Sequence, residues 1–254
     1  MFTTGLIFAA VALLYAAVGF GGGSTYTAIL IETGLSWQLI PPVSLTCNLI
    51  VVSGGVYHFH KSGHLNLKFA APLIASSVPA AFVGGYLRID EVMFMTILSV
   101  ALLIAGALLL ADRRWVSVSD EVRKSGTVAR VLIGSALGAL AGVTGIGGGI
   151  YLAPILHLFR LAETRSVAAL CSLFILVNSA AGLAGQLLKL GSVAEQLLDR
   201  SLLILPVAVL LGGQIGSRAG SRWLRPKLIR QLTGAVILLV AIRLFMKLFS
   251  ASGT

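Results

Sequence analysis

Two glycine clusters have the composition needed to bind an anion through the protein backbone. One lies in each half of the chain, and each interrupts an apolar run: Gly19-Phe20-Gly21-Gly22-Gly23 and Gly145-Ile146-Gly147-Gly148-Gly149. A helix that starts after such a break presents free N–H groups and the positive end of its dipole. Because glycine has no side chain, an oxyanion can approach these groups closely. We therefore predict six anion-binding glycines: Gly21, Gly22, Gly23, Gly147, Gly148 and Gly149.

Neutral polar side chains beside the breaks extend this predicted site. Ser24 follows the first cluster directly, and Thr46 and Asn48 lie early in the next apolar run. Asn178 lies in the matching run of the second half. Hydroxyl and amide groups can bind oxyanions without carrying a charge. The alternative is that they form ordinary hydrogen bonds between helices. Since the counterpart of Ser24 is Ile150, the predicted site need not be symmetric.

The composition of the chain excludes an ordinary soluble domain. Of its 254 residues, 57% are hydrophobic and 11% are charged, and the mean hydropathy is +0.97. Apolar stretches recur along the whole length, which is typical of a polytopic membrane protein. The net charge of +10 comes from lysines and arginines concentrated in short loops between apolar runs. That pattern orients membrane helices, so we predict the lipid bilayer as a partner and no nucleic acid.

The two halves share one plan, a broken segment followed by three apolar runs. Cys47 and Cys171 fall at matching places, and so do the pairs Gly84-Gly85 and Gly212-Gly213. Repeated landmarks of this kind indicate a duplication. We predict a first membrane repeat over residues 1–112, a cytoplasmic linker over 113–127 and a second membrane repeat over 128–254. The predicted segments are residues 5–33, 42–60, 69–87, 92–111, 129–159, 166–188, 197–217 and 229–249.

Positive charges decide between two topologies. The basic residues around Arg113 and Arg225 form the two richest positive clusters, and both should lie on the cytoplasmic side. They do so only if each broken segment is a re-entrant hairpin, which leaves three true spans in each half. The predicted fold is therefore an all-α polytopic membrane protein. It has two inverted repeats, each with a broken, re-entrant helical segment and three transmembrane helices. A kinked helix that crosses the membrane fully is the alternative.

The reactive side chains indicate no metal or cofactor site. Cys47 and Cys171 lie inside apolar runs and are interpreted as small buried residues. Three histidines lie between residues 58 and 64 without a cysteine or carboxylate beside them, which favours a solvated loop. A proton-coupling role for His58 is the alternative. We predict no cofactor, no metal and no catalytic residue.

An intramembrane serine hydrolase is one alternative function. Ser24 follows three glycines, and a histidine from another helix would have to activate it. The second cluster keeps the glycines and lacks the serine, which argues against this interpretation.

The glycine clusters and the Thr46-Cys47-Asn48 triplet resemble the sulfite exporter TauE/SafE family, also called the toluene sulfonate uptake permease family. The resemblance covers nearly the whole chain, and the stretch from Gly145 to Pro154 is among its most specific parts. The first copy departs from the pattern, because Ala28 stands where the second copy has Pro154. The resemblance implies transport of small sulfur-containing anions such as sulfite, sulfonates and sulfoacetate.

These features together predict a secondary transporter of the cell inner membrane with several membrane passes. Export is the expected direction, and alternating access is the expected mechanism, since broken helices in two repeats are typical of such transporters. An anion channel is the alternative. A secondary transporter of this kind can couple the movement of the anion to that of a proton or another ion. The sequence leaves the coupling ion and the oligomeric state open.

Overall fold

Most of the residues that the structure describes are helical, and none of them lies in a strand. The computed structural model describes residues 2–17, 19–111 and 126–220, with the isolated positions 238, 242 and 246. A short 3-10 helix, Gly191–Leu198, precedes the last of the α-helices in this part. These are α1 (Phe2–Ala16), α2 (Gly23–Glu32), α3 (Ile40–Lys61), α4 (Leu67–Tyr86), α5 (Glu91–Ala111), α6 (Thr127–Thr144), α7 (Gly149–Leu158), α8 (Thr164–Leu190) and α9 (Arg200–Gly220).

The helices confirm an all-α polytopic membrane protein. The predicted runs 42–60 and 69–87 match α3 and α4 to within two residues at each end. Large apolar side chains such as Leu132 and Leu188 are exposed, as expected of a surface that faces lipid. The predicted run 229–249, apart from two positions, and nearly all of the predicted linker lie outside the described residues. Within the described residues, four helices are long and apolar enough to cross a membrane: Ile40–Lys61, Leu67–Tyr86, Thr127–Thr144 and Arg165–Leu190.

The first broken segment folds back on itself. The Tyr15 hydroxyl and the Thr25 hydroxyl lie 2.9 Å apart across the break. The rings of Phe8 and Tyr26 stack with their centroids 4.5 Å apart. A helix that continued straight through the break would carry Tyr26 about 27 Å from Phe8, at 1.5 Å per residue. The α1–α2 segment is therefore a hairpin with the glycine cluster at its tip.

Glycines let helices of the two halves pack with their backbones in direct contact. A Cβ atom on Gly138 would collide with the Ser77 carbonyl of α4, and one on Gly212 would collide with the Ala9 carbonyl of α1. Five glycines make close backbone contacts of this kind: Gly134, Gly138, Gly142, Gly212 and Gly216. The packing is reciprocal, because α1 of the first half contacts α9 of the second while α6 of the second contacts α4 of the first.

The two corresponding helices α3 and α8 cross the centre in opposite directions. Leu45, near the start of α3, lies beside Gly182 near the end of α8. Gly55, near the end of α3, lies beside Ser172 near the start of α8. A twofold rotation axis that superimposes α3 on α8 would therefore run perpendicular to both helices. Both glycine clusters contact this pair of helices, because Gly21 lies beside Asn48 of α3 and Gly149 lies beside Ile175 of α8.

Candidate functional site

Both helices that follow the breaks begin without a side-chain cap. The N-caps are Gly22, with φ of 90°, and Gly148, with φ of 80°. Only glycine adopts such left-handed values readily. The Gly22 carbonyl accepts hydrogen bonds from the amides of Thr25 and Tyr26. The two preceding amides, of Gly23 and Ser24, have no carbonyl one turn earlier to bind. The start of α7 repeats this pattern with Gly148.

A small cavity lies where the two helix starts approach each other. Its free space is small, with room for about one water molecule, and it is partly open to solvent. A Cβ atom on Gly23 would lie 2.9 Å from the Ile146 carbonyl oxygen, so the two breaks are in direct contact. The cavity is lined by Tyr15, Phe20, Gly21, Gly22, Gly23, Ser24, Ile146, Ile150 and Ile175.

Ser24 supplies the polar side chain best placed to bind a ligand in this cavity. Its side chain is 2% exposed, and its hydroxyl has no hydrogen-bond partner among the described residues. The Tyr15 hydroxyl, by contrast, is already paired with Thr25. None of the lining residues is charged. The Ser24 hydroxyl lies near the Tyr15 hydroxyl, and together with the uncapped amides beside it forms a neutral set of donors.

The second break is packed more tightly by apolar side chains. A Cβ atom on Gly149 would lie 2.5 Å from two side-chain carbons of Ile175. One on Gly148 would lie 2.9 Å from the ring of Phe174. Gly147, Gly148 and Gly149 do not line the cavity, whereas Ile146 and Ile150 do. The two predicted halves of the site therefore differ in chemistry.

Asn48 connects the two breaks. Its amide nitrogen donates a hydrogen bond of 3.0 Å to the Ile146 carbonyl of the second break. A carbonyl oxygen only accepts, so this bond fixes which end of the amide is the nitrogen. The amide oxygen lies against Gly21 and Gly23 of the first break and has no partner among the described residues. Ser172 of α8 makes the matching contact, because its hydroxyl donates to the Gly19 carbonyl at 2.8 Å.

Thr46 and Asn178 are bonded within their own helices. The Thr46 hydroxyl donates to the Pro42 carbonyl at 2.8 Å, and the Asn178 amide nitrogen donates to the Phe174 carbonyl at 2.8 Å. Neither residue lines the cavity. The polar side chain at Gly147 is instead Ser179, whose hydroxyl would lie 2.8 Å from a Cβ there. Of the predicted residues, the structure thus brings Gly21, Gly22, Gly23 and Ser24 to the cavity wall. Asn48 lies directly behind them.

Sequence reasoning missed several residues of the cavity wall. Tyr15 lies in the first helix of the hairpin, and Ile175 comes from a helix that begins after the second hairpin. No motif marks either of them. Ile150 was identifiable, because it occupies the position of Ser24 in the second copy. If Ile150 had been interpreted as a residue that lines the site, the sequence would have predicted an apolar side chain at that side of the cavity.

The histidine and cysteine side chains do not line this cavity. His58 and His60 occupy the last turn of α3. Cys47 and Cys171 are buried and form no disulfide. None of the four histidines of the chain lines the cavity.

Comparison with known proteins identifies the family. Residues 4–244 match the family described as sulfite exporter TauE/SafE. The chain is 28% identical over 244 residues to the "Probable membrane transporter protein y4hK" of Sinorhizobium fredii (strain NBRC 101917 / NGR234), an alignment that covers 94% of this chain and 96% of that protein. No solved structure matches the chain. The broken helices, the apolar spans and the family match lead to one conclusion: the chain belongs to the sulfite exporter TauE/SafE family of membrane transporters.

Proposed function

We propose that the protein is a secondary transporter that exports small sulfur-containing anions, such as sulfite, sulfonates or sulfoacetate, with the anion held at the glycine-rich breaks. One observation carries the proposal. The uncapped start of α2 opens on a small cavity, partly open to solvent, beside the start of α7, and the Ser24 hydroxyl, which has no hydrogen-bond partner among the described residues, lines that cavity. Amides at a helix start are well suited to oxyanions, since the dipole adds about half a positive charge there.

Neutral donors suit a site that must also release its ligand. A buried arginine or lysine would bind a divalent anion strongly, because opposite charges attract strongly at low dielectric. No charged side chain lines this cavity. Partial charges on backbone amides, together with one hydroxyl, would bind an anion and let it leave within a transport cycle.

The two hairpins supply an arrangement that fits alternating access. Each tip rests on the central helix of the other half, through Asn48 to Ile146 and through Ser172 to Gly19. A rocking motion of one half against the other would move both tips together about the cavity. Broken helices that meet near the membrane midplane are the usual setting for this mechanism. A proton or another ion would supply the driving force.

Transport by the purified protein in liposomes tests the proposal. The panel is sulfite, sulfate, sulfoacetate and taurine, each with and without a proton gradient. We expect saturable flux of at least one sulfur oxyanion, and stimulation of the flux by the same anion on the opposite side. Flux without saturation or stimulation would indicate a channel, and no flux of any anion would contradict the proposal.

A matched pair of variants at Ser24 ties the flux to the cavity. Ser24→Asp places a carboxylate among the proposed anion ligands and should abolish transport by repulsion. Ser24→Asn has nearly the same size and no charge, so it should retain part of the activity. The negative charge of an aspartate in the first turn of a helix interacts favourably with the helix dipole. The Ser24→Asp variant should therefore still fold, and a monodisperse detergent peak would verify this. Equal activity of the two variants would overturn the location of the site.

A further inference from the structure

We propose that the adjacent starts of α4 and α6 bind the phosphate group of an anionic membrane lipid through Lys68 and Arg130. We call the surface formed by Lys68, Phe69, Thr127 and Arg130 the basic site. None of these residues lines the cavity between the glycine breaks. The inference therefore goes beyond the proposed function and does not depend on which anion the protein transports.

The packing of α4 against α6 places the starts of both helices side by side. A Cβ atom on Gly134 would collide with the Leu73 carbonyl, and one on Gly142 would collide with the Ala81 carbonyl. Since the order of these contacts is the same in both helices, the two helices run in parallel. Both are long and apolar enough to cross a membrane, so their starts lie together at a membrane surface. The positive ends of two helix dipoles meet there.

Pro72 helps to hold Arg130 at the junction of the two helices. Proline has no backbone N–H, so the Lys68 carbonyl, four residues earlier, has no donor within α4. The Arg130 guanidinium donates to the carbonyls of Lys68 and Phe69 at 3.5 and 3.4 Å. It also donates to the Thr127 hydroxyl at 3.3 Å and lies 5.2 Å from the centre of the Phe69 ring.

Neither helix supplies a carboxylate to balance this positive charge. Neither α4 nor α6 contains an aspartate or a glutamate. The hydrogen bonds of the Arg130 guanidinium to uncharged oxygens are longer than the usual distance of about 2.7–3.2 Å, and its Nε has no partner among the described residues. Lys68 is exposed. A weakly bonded guanidinium beside a lysine is suited to a phosphate, which arginine binds through two nitrogens and lysine through its charge.

Exposed apolar side chains beside the basic site favour a lipid over a soluble phosphate. Leu67, Val128 and Leu132 are each more than half exposed. A lipid whose phosphate contacts the basic site can place an acyl chain along Val128 and Leu132, which lie one turn apart on α6. The distribution of basic residues predicts that this end of α4 faces the cytoplasm, where the membrane surface carries anionic lipids. The attraction of such a surface is worth about fivefold in affinity for each basic residue.

Native mass spectrometry of the detergent-purified protein tests this inference with two lipids that have identical acyl chains. Phosphatidylglycerol carries a net negative charge, and phosphatidylcholine carries none. We expect Lys68→Gln to weaken the binding of the first phosphatidylglycerol about fivefold and to leave the binding of phosphatidylcholine unchanged. The matched control is Lys61→Gln, because Lys61 is also exposed but lies at the end of a helix. Equal losses in the two variants, or no loss in Lys68→Gln, would overturn the inference.

A second variant tests the role of the guanidinium. Arg130→Gln should add a further loss of about fivefold to that of Lys68→Gln, and a double variant that binds like Lys68→Gln alone would exclude Arg130 from the site. Because Arg130→Gln also removes contacts between α4 and α6, its unfolding temperature without lipid is compared with that of the unchanged protein. If it fails to fold, Lys68→Gln decides the question, because the side chain of Lys68 is exposed.

A competition with inorganic phosphate separates a lipid from a soluble ion. Millimolar phosphate should not displace the bound phosphatidylglycerol, since it cannot use the apolar side chains beside the site. Displacement by phosphate would mean that a soluble ion occupies the basic site, and it would overturn the assignment to a lipid. Lipid binding is measured without transport, so its failure is distinguishable from a failure of the proposed function.

Discussion

At the scale of single residues, Ser24 is the side chain on which the proposed site depends most. It is buried, it faces the cavity, and its hydroxyl has no partner among the described residues. Ser24→Ala should raise the apparent KM of the transported anion about 2- to 10-fold, the value of one neutral hydrogen bond. The matched control is Thr46→Val, because the Thr46 hydroxyl bonds its own helix. An unchanged KM in Ser24→Ala with a raised KM in Thr46→Val would contradict this assignment.

Asn48 is expected to hold the two breaks together. Asn48→Leu removes the donor and leaves the buried Ile146 carbonyl without a partner, at a cost of about 1–3 kcal/mol. The variant should unfold at a lower temperature in detergent and lose most of its transport. Asn178→Leu replaces another fully buried amide, one that bonds only its own helix. It should be clearly less harmful in both measurements, and equal damage from the two changes would argue against a connecting role for Asn48.

The residue scale is also where sequence reasoning was least complete. A helix-length apolar run does not reveal which way each polar side chain points. Thr46 and Asn48 are two residues apart, yet one bonds its own helix while the other reaches a carbonyl 98 positions away. Such pairings depend on how distant helices cross, and that information is not local. Ser24 was identifiable because it follows its glycine cluster directly.

At the scale of elements, the breaks were predictable because their cause is local. Both runs of three adjacent glycines interrupt the helical structure, and the structure begins α2 at Gly23 and α7 at Gly149. The effect of adding a side chain at one of these glycines is also local, because it depends on the atoms that surround that glycine. A Cβ on Gly22 would lie 2.8 Å from the ring of Tyr26, whereas one on Gly34 would have nothing within 4 Å.

This contrast gives a prediction with a built-in control. Gly22 and Gly34 both have positive φ, so alanine strains the backbone similarly at either position. Gly22→Ala should reduce transport more than tenfold, while Gly34→Ala should retain it.

Gly22→Leu and Gly148→Leu should abolish transport, with folding checked by membrane expression and gel filtration. Full activity in folded Gly22→Leu protein would mean that the break does not bind the anion.

At the scale of the whole molecule, the inverted duplication stays a prediction, and two features of the packing agree with it. The corresponding helices α3 and α8 run in opposite directions, and α1–α9 and α4–α6 are reciprocal contacts. An axis perpendicular to spanning helices lies in the membrane plane, as inverted repeats require. Local hydropathy could not show this packing, because it depends on contacts between the halves. The distribution of basic residues could indicate it, because charge orients the whole chain.

The predicted topology can be tested by labelling introduced cysteines from outside the cell. Single cysteines at Arg113 and Arg225, in a background without Cys47 and Cys171, should both be inaccessible to an impermeant thiol reagent in intact cells. Both should react once the cells are permeabilised, since inverted repeats with re-entrant hairpins put both loops in the cytoplasm. Reaction of one position and not the other in intact cells would rule out that topology.

The central claim is that backbone amides and Ser24, and not fixed cations, hold the anion between the two breaks. Selenite resembles sulfite and scatters X-rays anomalously at the selenium edge, so crystals soaked in selenite would locate the anion directly. We predict one strong peak in the cavity, within hydrogen-bond distance of the Gly23 and Ser24 amides and next to Ile150. A strong peak beside surface lysines or arginines, with none between the breaks, would contradict the claim.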